Sequence, residues 1–340
     1  MTDAQAKAAE SAAVIEGVAT LIVNPSAGQE RFVRRGQPTW RLLRVIDLLS
    51  ERFDLTWHLT DGPGAATALA RGAADSGARA VFALGGDGTV RECAQGLIGR
   101  STALGILPGG TTNVLAPSLG LPRDAMEGAL QFVRAARGGK LRVRPLDIGM
   151  CGEHPFLMMM SRGIDGRALS RTSRQHKRRF GKAAVAWSGL AELLRGAEPP
   201  FRVAWTDEHG QEGNLEASYL AVCNVPHYAG RFRMAPGASP YDRKLDVVVL
   251  SRRGRWATLR FAGGLARGRA ASVPGVVTHR VREVHIDDLQ PGEGAGLLQV
   301  DGDPIDTPGS TRVHIATERL LVVMPGAAPP VPSVADEPAD

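Results

Sequence analysis

Three glycine-bearing segments in the first third of the chain carry residue types suited to phosphate. They are Asn24-Pro25-Ser26-Ala27-Gly28, Gly85-Gly86-Asp87-Gly88-Thr89 and Pro108-Gly109-Gly110-Thr111-Thr112-Asn113. Glycine lets backbone N–H groups approach phosphate oxygens closely, and small hydroxyls and amides add donors. A tight strand-to-helix turn would account for two glycines alone. It does not account for three such loops or for the aspartate inside the second. Neither the GxxxxGK[ST] loop nor the GxGxxG fingerprint is present, so a different phosphate-binding architecture is required. A fourth segment, Asp301-Gly302-Asp303, sets two carboxylates two residues apart. Taken alone, it reads as a plain β-turn.

The loops must be positioned by strands and helices. Val18–Val23 is a short β-like run that ends at Asn24, and apolar spacing from Trp40 to Leu49 predicts a helix. Phe53–Thr60 reads as a strand, closed by Asp61-Gly62-Pro63-Gly64 and followed by an Ala-rich helix to about Ser76. Ala80–Leu84 and Ala103–Leu107 are buried strands that run into the second and third loops, each followed by a helix. This alternation implies a parallel sheet with helices on both faces, whose ligands bind at the carboxyl ends of the strands. A helix N-terminus at the second loop adds partial positive charge there.

From Leu141 strand-like pieces dominate, among them Val143–Gly149, Phe156–Met160, Phe201–Trp205, Tyr219–Cys223, Leu245–Leu250, Val281–Ile286, Leu297–Val300 and Val313–Ala316. One helix is expected around Gly181–Leu194, and Leu320–Met324 is a last strand. The fold class read from this is α/β, with an N-terminal parallel-sheet nucleotide-binding domain and a C-terminal β-sandwich-like domain. The expected boundaries are 15–138, 139–317 and a strand at 318–325 returning to the first domain, with tails at 1–14 and 326–340.

Of the 340 residues, 43% are hydrophobic and 22% charged, and 41 basic against 35 acidic residues give a formal charge of +6. A basic balance favours anionic partners. The low aromatic content of 5%, without aromatic-basic interleaving, disfavours nucleic acid. No run approaches the ~20 apolar residues of a membrane span, and the first residues lack a signal peptide's apolar core. A cytoplasmic protein held peripherally at the inner membrane face is expected. Cys93, Cys151 and Cys223 are far apart and read as buried thiols, and the eight histidines form no metal spacing; His227 reads as structural. Residues 162–182 carry eight Lys or Arg against one acid. A solvated basic face is the ordinary reading of such a run. The alternative is membrane contact through Arg171, Arg174, Lys177, Arg178, Arg179 and Lys182, each worth roughly 1 kcal/mol near an anionic leaflet.

In order and spacing, NPSAG, GGDGTVRE and LGILPGGTTNVLA resemble the catalytic domain of the diacylglycerol kinase superfamily, which includes bacterial lipid kinases, sphingosine kinases and ceramide kinases. Arg179–Lys182, Met234–Asp246 and Val300–Pro304 extend the resemblance, which covers about 18–325. It implies an ATP-dependent lipid kinase with a cleft between an ATP domain and a lipid domain. By motif position Asn24, Pro25, Ser26, Ala27, Gly28, Thr60, Gly85, Gly86, Asp87, Gly88, Thr89, Val90, Arg91, Gly110, Thr111 and Asn113 would line the nucleotide, and Glu92 matches an acidic position. Asp301-Gly302-Asp303 matches the DGE motif that supplies the base. Ser239, Asp242 and the carbonyl of Lys244 match a magnesium or calcium site, and Asp87 would act through ATP-bound magnesium.

The sequence departs from the family pattern at Val114 (commonly an acid), Asp303 (commonly Glu) and Arg243 (commonly Gly). A bulky residue does not easily take glycine's backbone angles, so Arg243 bears on the metal site. Diacylglycerol is the expected substrate, with ceramide or a sphingoid base as alternatives. An NAD kinase shares GGDGT, and a non-catalytic lipid- or nucleotide-binding module is the remaining alternative. Oligomeric state is not legible.

Overall fold

The computed structural model describes residues 17–28, 32–34, 36–110, 112–164, 200–228, 232–289, 297–307 and 309–326. The chain divides into two units, one formed by 1–147 with 317–331 and the other by 148–316 with 332–340.

The first unit is built on strands β1 (Gly17–Val23), β2 (Phe53–Leu59), β3 (Ala80–Gly85), β4 (Ala103–Pro108) and β5 (Leu141–Leu146), with the C-terminal strand Leu320–Pro325. The sheet order is β2-β1-β3-β4-(320–325)-β5. All pairings are parallel except that between 320–325 and β5. β3 and β4 are buried along their whole length, as their unbroken apolar runs require of central parallel strands. The edge strand β2 is mostly exposed.

The helices are α1 (Trp40–Ser50), α2 (Ala65–Asp75), α3 (Asp87–Leu97), α4 (Leu115–Ser118) and α5 (Ala125–Arg137). Phe82 joins sheet to helix, its ring 5.6 Å from Phe132 on α5 and 5.1 Å from Phe53 on β2. α2 and α3 touch at Gly96, where an added Cβ would lie 2.6 Å from the Thr67 carbonyl. β5 belongs to this unit, so the division falls after Asp147 and not at 138/139.

The second unit is one large antiparallel sheet. Its strands are β6 (Gly149–Cys151), β7 (His154–Phe156), β8 (Met159–Arg162), β9 (Phe201–Asp207), β10 (Glu212–Ala217), β11 (Tyr219–Cys223), β12 (Leu245–Leu250), β13 (Val276–Asp288), β14 (Leu297–Val300), β15 (Asp303–Asp306) and β16 (Ser310–Ile315). The order is β15-β14-β8-β11-β12-β13-β16-β6-β7, with β9 also on β13 and β10 on β9. Apolar residues alternate between two clusters. Phe156, Met160, Val222, Val247 and Val300 lie in one, and Met159, Tyr219, Ala221, Cys223 and Val248 in the other. That is the period-2 pattern of strands buried on both faces.

One helix of this unit, α6 (Arg255–Ala266), was not expected from the sequence. The helix expected at 181–194 and the basic run 171–182 lie outside the described residues. The run's first cation, Arg162, does not face a membrane. It is buried in β8, paired with Asp288, with its guanidinium 4.3 Å from the Phe201 ring centre.

All three cysteines are buried, and none forms a disulfide. Burial pushes the Cys151 thiol up to about 12 and Cys93 higher still. No helix among the described residues is long and apolar enough to cross a membrane.

Candidate active site

The strand order of the first unit locates a ligand crevice by topology. β1 has β2 on one side and β3 on the other, so the connections leaving β1 and β3 diverge at the carboxyl end of the sheet. Open α/β sheets bind ligands at such a switch point. The Asn24 and Gly86 loops leave the sheet there.

These loops are tied by side chains as well as by the sheet. Asn24 Nδ2 donates to Thr89 Oγ1 at 2.9 Å, and Asn24 Oδ1 accepts from Ser26 N at 2.9 Å. The Asn24 N–H reaches the Leu84 carbonyl at 2.9 Å, and Gly28 closes the loop with φ 71°. Thr60, at the end of β2, donates its N–H to Val23 O at 2.9 Å. Gly109 N donates to Gly85 O at 2.7 Å, which draws the third loop against the second. A Cβ on Gly110 would lie 2.6 Å from the Gly86 Cα, and one on Gly85 would lie 2.6 Å from the Thr89 hydroxyl. At these positions glycine is demanded by approach distance. Asn113, at φ 44°, accepts from Gly110 N at 3.0 Å and donates to Gly110 O at 2.8 Å.

α3 begins at Asp87 after Gly86, and no side chain caps it. The first N–H groups of an α-helix have no intrahelical partner, so this end is suited to an anion. Asp87 itself turns toward the third loop. Its two carboxylate oxygens accept from Val114 N at 3.0 and 2.9 Å, and Oδ1 accepts from Leu115 N at 3.2 Å. Burial raises the carboxyl above the ordinary range, while the two N–H groups pull it back. Val90 is buried, and its N–H is spent on the Gly86 carbonyl, so it supports the helix from the core. Glu92 meets Thr67 through its backbone carbonyl at 2.9 Å, and Arg91 is half-buried on the same helix. Thr111 lies outside the described residues.

In the second unit Asp301-Gly302 forms the two-residue turn between β14 and β15. Both residues have positive φ, 49° and 88°, as a type I′ hairpin requires. The Asp301 carboxylate reaches back to the segment entering β8. Oδ2 accepts from Leu157 N at 2.8 Å, and Oδ1 from Met158 N at 2.9 Å and Met159 N at 3.0 Å. Gln299 braces the turn by accepting from Gly302 N at 2.7 Å and donating to Ser161 Oγ at 2.8 Å. Asp303 opens β15 and is half-buried. Both oxygens of Asp301 thus hold backbone.

The segment around Asp242 gathers charge. The Arg280 guanidinium lies 3.8 Å from Asp242 Oδ2 and 3.7 Å from Asp246 Oδ2, too long for hydrogen bonds, and both oxygens are buried without a donor. Arg280 Nη2 instead donates to Gly237 O at 2.7 Å. Lys244 pairs with Glu208 and gives its N–H to Asp242 Oδ1 at 3.1 Å. Burial pushes Asp246 to about 6 and raises Asp242, with Arg280 pulling both down. Arg243 takes the left-handed angle at φ 61°, so the glycine conformation survives the substitution. Ser239 is buried nearby in sequence. Hard oxygens without donors fit a magnesium or calcium ion. No cluster of three or more His, Cys, Asp or Glu ligands occurs among the described residues.

Residues 18–150 match the model of the diacylglycerol kinase catalytic domain, and 158–325 match the YegS C-terminal NAD kinase beta sandwich-like domain. A protein of Pseudomonas putida named "Probable lipid kinase YegS-like" is 30% identical over 293 residues, which is 83% of this chain and 92% of that one. The chain belongs to the YegS-like lipid kinases of the diacylglycerol kinase superfamily. A diacylglycerol kinase of Bacillus subtilis is 25% identical over 290 residues, covering 82% of this chain and 91% of the relative. The fold is shared with a crystal structure titled a diacylglycerol kinase from Bacillus anthracis str. Sterne, at TM-score 0.64, 22% identity, 90% coverage of this chain and 96% of that one. This lipid kinase is accordingly a phosphotransferase of an ATP-using family.

The lipid-kinase motifs were legible in the sequence. Val114 and Leu115, which serve through backbone N–H, were not. No side-chain pattern signals a backbone donor.

Proposed function

We propose that this lipid kinase transfers the γ-phosphoryl group of ATP to the free hydroxyl of diacylglycerol, yielding phosphatidic acid. The observation that carries the reading is the uncapped N-terminus of α3, set at the sheet's switch point and flanked by the Asn24 and Gly110 loops. Phosphoryl transfer passes through a loose transition state, so positioning and charge neutralisation do most of the work. Backbone N–H groups of residues 87–89 would receive the phosphates, with Ser26 and Thr89 adding hydroxyls. Magnesium bound with ATP would neutralise charge developing on the transferred group. Asp87 holds the third loop in place beside it.

Asp303 is the favoured base for the lipid hydroxyl, because the Asp301 oxygens are committed to Leu157, Met158 and Met159. A general base contributes roughly 10² to 10⁴-fold. Ser239, Asp242 and the Lys244 carbonyl would hold a second magnesium or calcium ion with a structural task. The Bacillus subtilis relative's name supports diacylglycerol over ceramide or a sphingoid base.

The test is transfer of labelled γ-phosphate from ATP to diacylglycerol, ceramide, sphingosine and NAD in mixed micelles, with Asp303→Asn as control. Label in phosphatidic acid that disappears in the control is expected. Label in ceramide 1-phosphate or sphingosine 1-phosphate would replace the substrate. Label in none, with ATP still bound, would favour a non-catalytic binding module.

A further inference from the structure

α6 is apolar on two opposed sides. At about 100° per residue, Phe261 and Leu265 share one side. Both are buried, and the Phe261 ring lies 5.1 Å from that of Tyr219. Trp256 and Leu259 occupy the other side, with Gly263 between them. They face solvent at 68% and 40% exposure. Nothing in the packing of the second unit requires a tryptophan there.

Arginines surround this outer apolar strip. Arg255 lies on one flank and Arg260 and Arg267 on the other, while Arg252, Arg253 and Arg269 sit in the segments entering and leaving the helix. All six are exposed, and the stretch 252–269 contains no acid. Among the described residues no carboxylate pairs with any of them. Their observed contacts are local: Arg267 Nη1 donates to Gly263 O at 2.9 Å, and the Arg255 guanidinium lies 5.9 Å from the Trp256 ring centre.

We infer that α6 is an interfacial docking helix for an anionic lipid bilayer. Trp256 and Leu259 would enter the boundary between headgroups and acyl chains, and the arginines would engage lipid phosphates. Tryptophan favours that boundary, where its ring is partly apolar and its N–H stays wet. A strip of Trp and Leu bordered by Arg is the chemistry of helices that lie in the membrane plane. Arginine stems beside the strip can stay with apolar surface while their guanidinium groups reach phosphate. A protein partner would need an acidic groove shaped to an isolated tryptophan, whereas a bilayer needs only charge and an apolar edge. The inference rests on α6 itself and deepens the lipid-kinase reading by naming where the enzyme meets its substrate's phase.

The experiment uses the full chain and vesicles of phosphatidylcholine with and without phosphatidylglycerol. Co-sedimentation is followed across a salt series for the wild type, R252Q/R253Q/R255Q, W256A/L259A and W256F. The wild type should bind only the anionic vesicles and release as salt rises. The triple arginine variant should lose about fivefold per charge removed. W256A/L259A should lose roughly tenfold or more, and W256F should bind between the wild type and that variant. Thermal midpoints should not move, because every altered residue is exposed.

Three results would overturn the inference: variants that bind like the wild type, equal wild-type binding to neutral vesicles, or no wild-type binding at low salt. Concentration-dependent self-association through Trp256 without vesicle binding would also overturn it, in favour of a protein interface. Turnover on micellar diacylglycerol, measured on the same samples, keeps the readings apart. Its absence in the wild type counts against the proposed substrate and leaves the docking result intact.

Discussion

Both carboxylate oxygens of Asp87 lie on the backbone N–H of Val114, at 3.0 and 2.9 Å. The contact joins the first residue of α3 to the residue that precedes α4, and so fixes the second loop to the third. The contact at position 114 uses only the main chain, so it does not need the acid common in the family. What that position supplies is a main-chain donor, and the valine side chain is buried.

Asp87→Ala would strip the donors at Val114 and Leu115 of their acceptor. Leaving a partly buried donor unsatisfied costs about 1–3 kcal/mol. The thermal midpoint should fall and the KM for ATP should rise, as scanning calorimetry and kinetics at varied ATP can measure. Asp87→Asn keeps one acceptor oxygen and should show a smaller effect of the same sign. Wild-type ATP affinity in Asp87→Ala would show that the third loop does not depend on this clamp.

Asp301 and Asp303 should separate in opposite ways. Asp301→Ala releases three N–H groups and should cost ~3 kcal/mol or more in stability, read as a lowered urea midpoint. Asp303→Asn should leave that midpoint unchanged while kcat falls by roughly 10² to 10⁴-fold. A stable Asp301→Ala with normal folding would remove its proposed structural task.

The pair of Arg162 and Asp288 is almost fully shielded from water, at 7% and 10% side-chain exposure. Removing one member of a buried pair strands the other's charge, at a cost of ~3–5 kcal/mol. Asp288→Ala should therefore unfold at much lower denaturant than the wild type. Restoring a shape-matched neutral pair, Arg162→Met with Asp288→Leu, should recover much of the loss.

Divalent cation should stabilise the second unit through Asp242. Adding calcium or magnesium to chelator-treated protein should raise the thermal midpoint, the gain in stability being ~2.7 kcal/mol at a hundred times the dissociation constant. The rise should vanish in Asp242→Ala. An equal rise in that variant would place the ion elsewhere.

His314 supplies a pH signature. Burial, with the Arg312 charge added to it, lowers its pKa below 6.5, and its Nδ1 is buried without a hydrogen-bond partner. The fold thus favours the neutral ring. Its contribution to stability is present above pH 6.5 and is lost as pH falls from 6.5 through the folded-state value. Midpoints measured between pH 7.5 and 5 should drop less steeply in His314→Gln than in the wild type.

The alternating strands and helices of the first unit, the loops at its strand ends and the lipid-kinase family were legible in the residues. Each rests on local chemistry: apolar runs such as Ala80–Leu84 must be buried, and glycines such as Gly86 and Gly110 mark close backbone approach. Tertiary structure decided what depends on distant partners. It placed β5 in the first unit, because the return of 320–325 gives that strand its neighbour. It tied Asp301 of the DGD turn to the backbone, because only the folded sheet brings it against the N–H groups of 157–159. α6 escaped sequence reading because its apolar residues lie on opposite sides and cancel as a periodic signal. Only the folded chain shows which side the core takes and which is left to solvent.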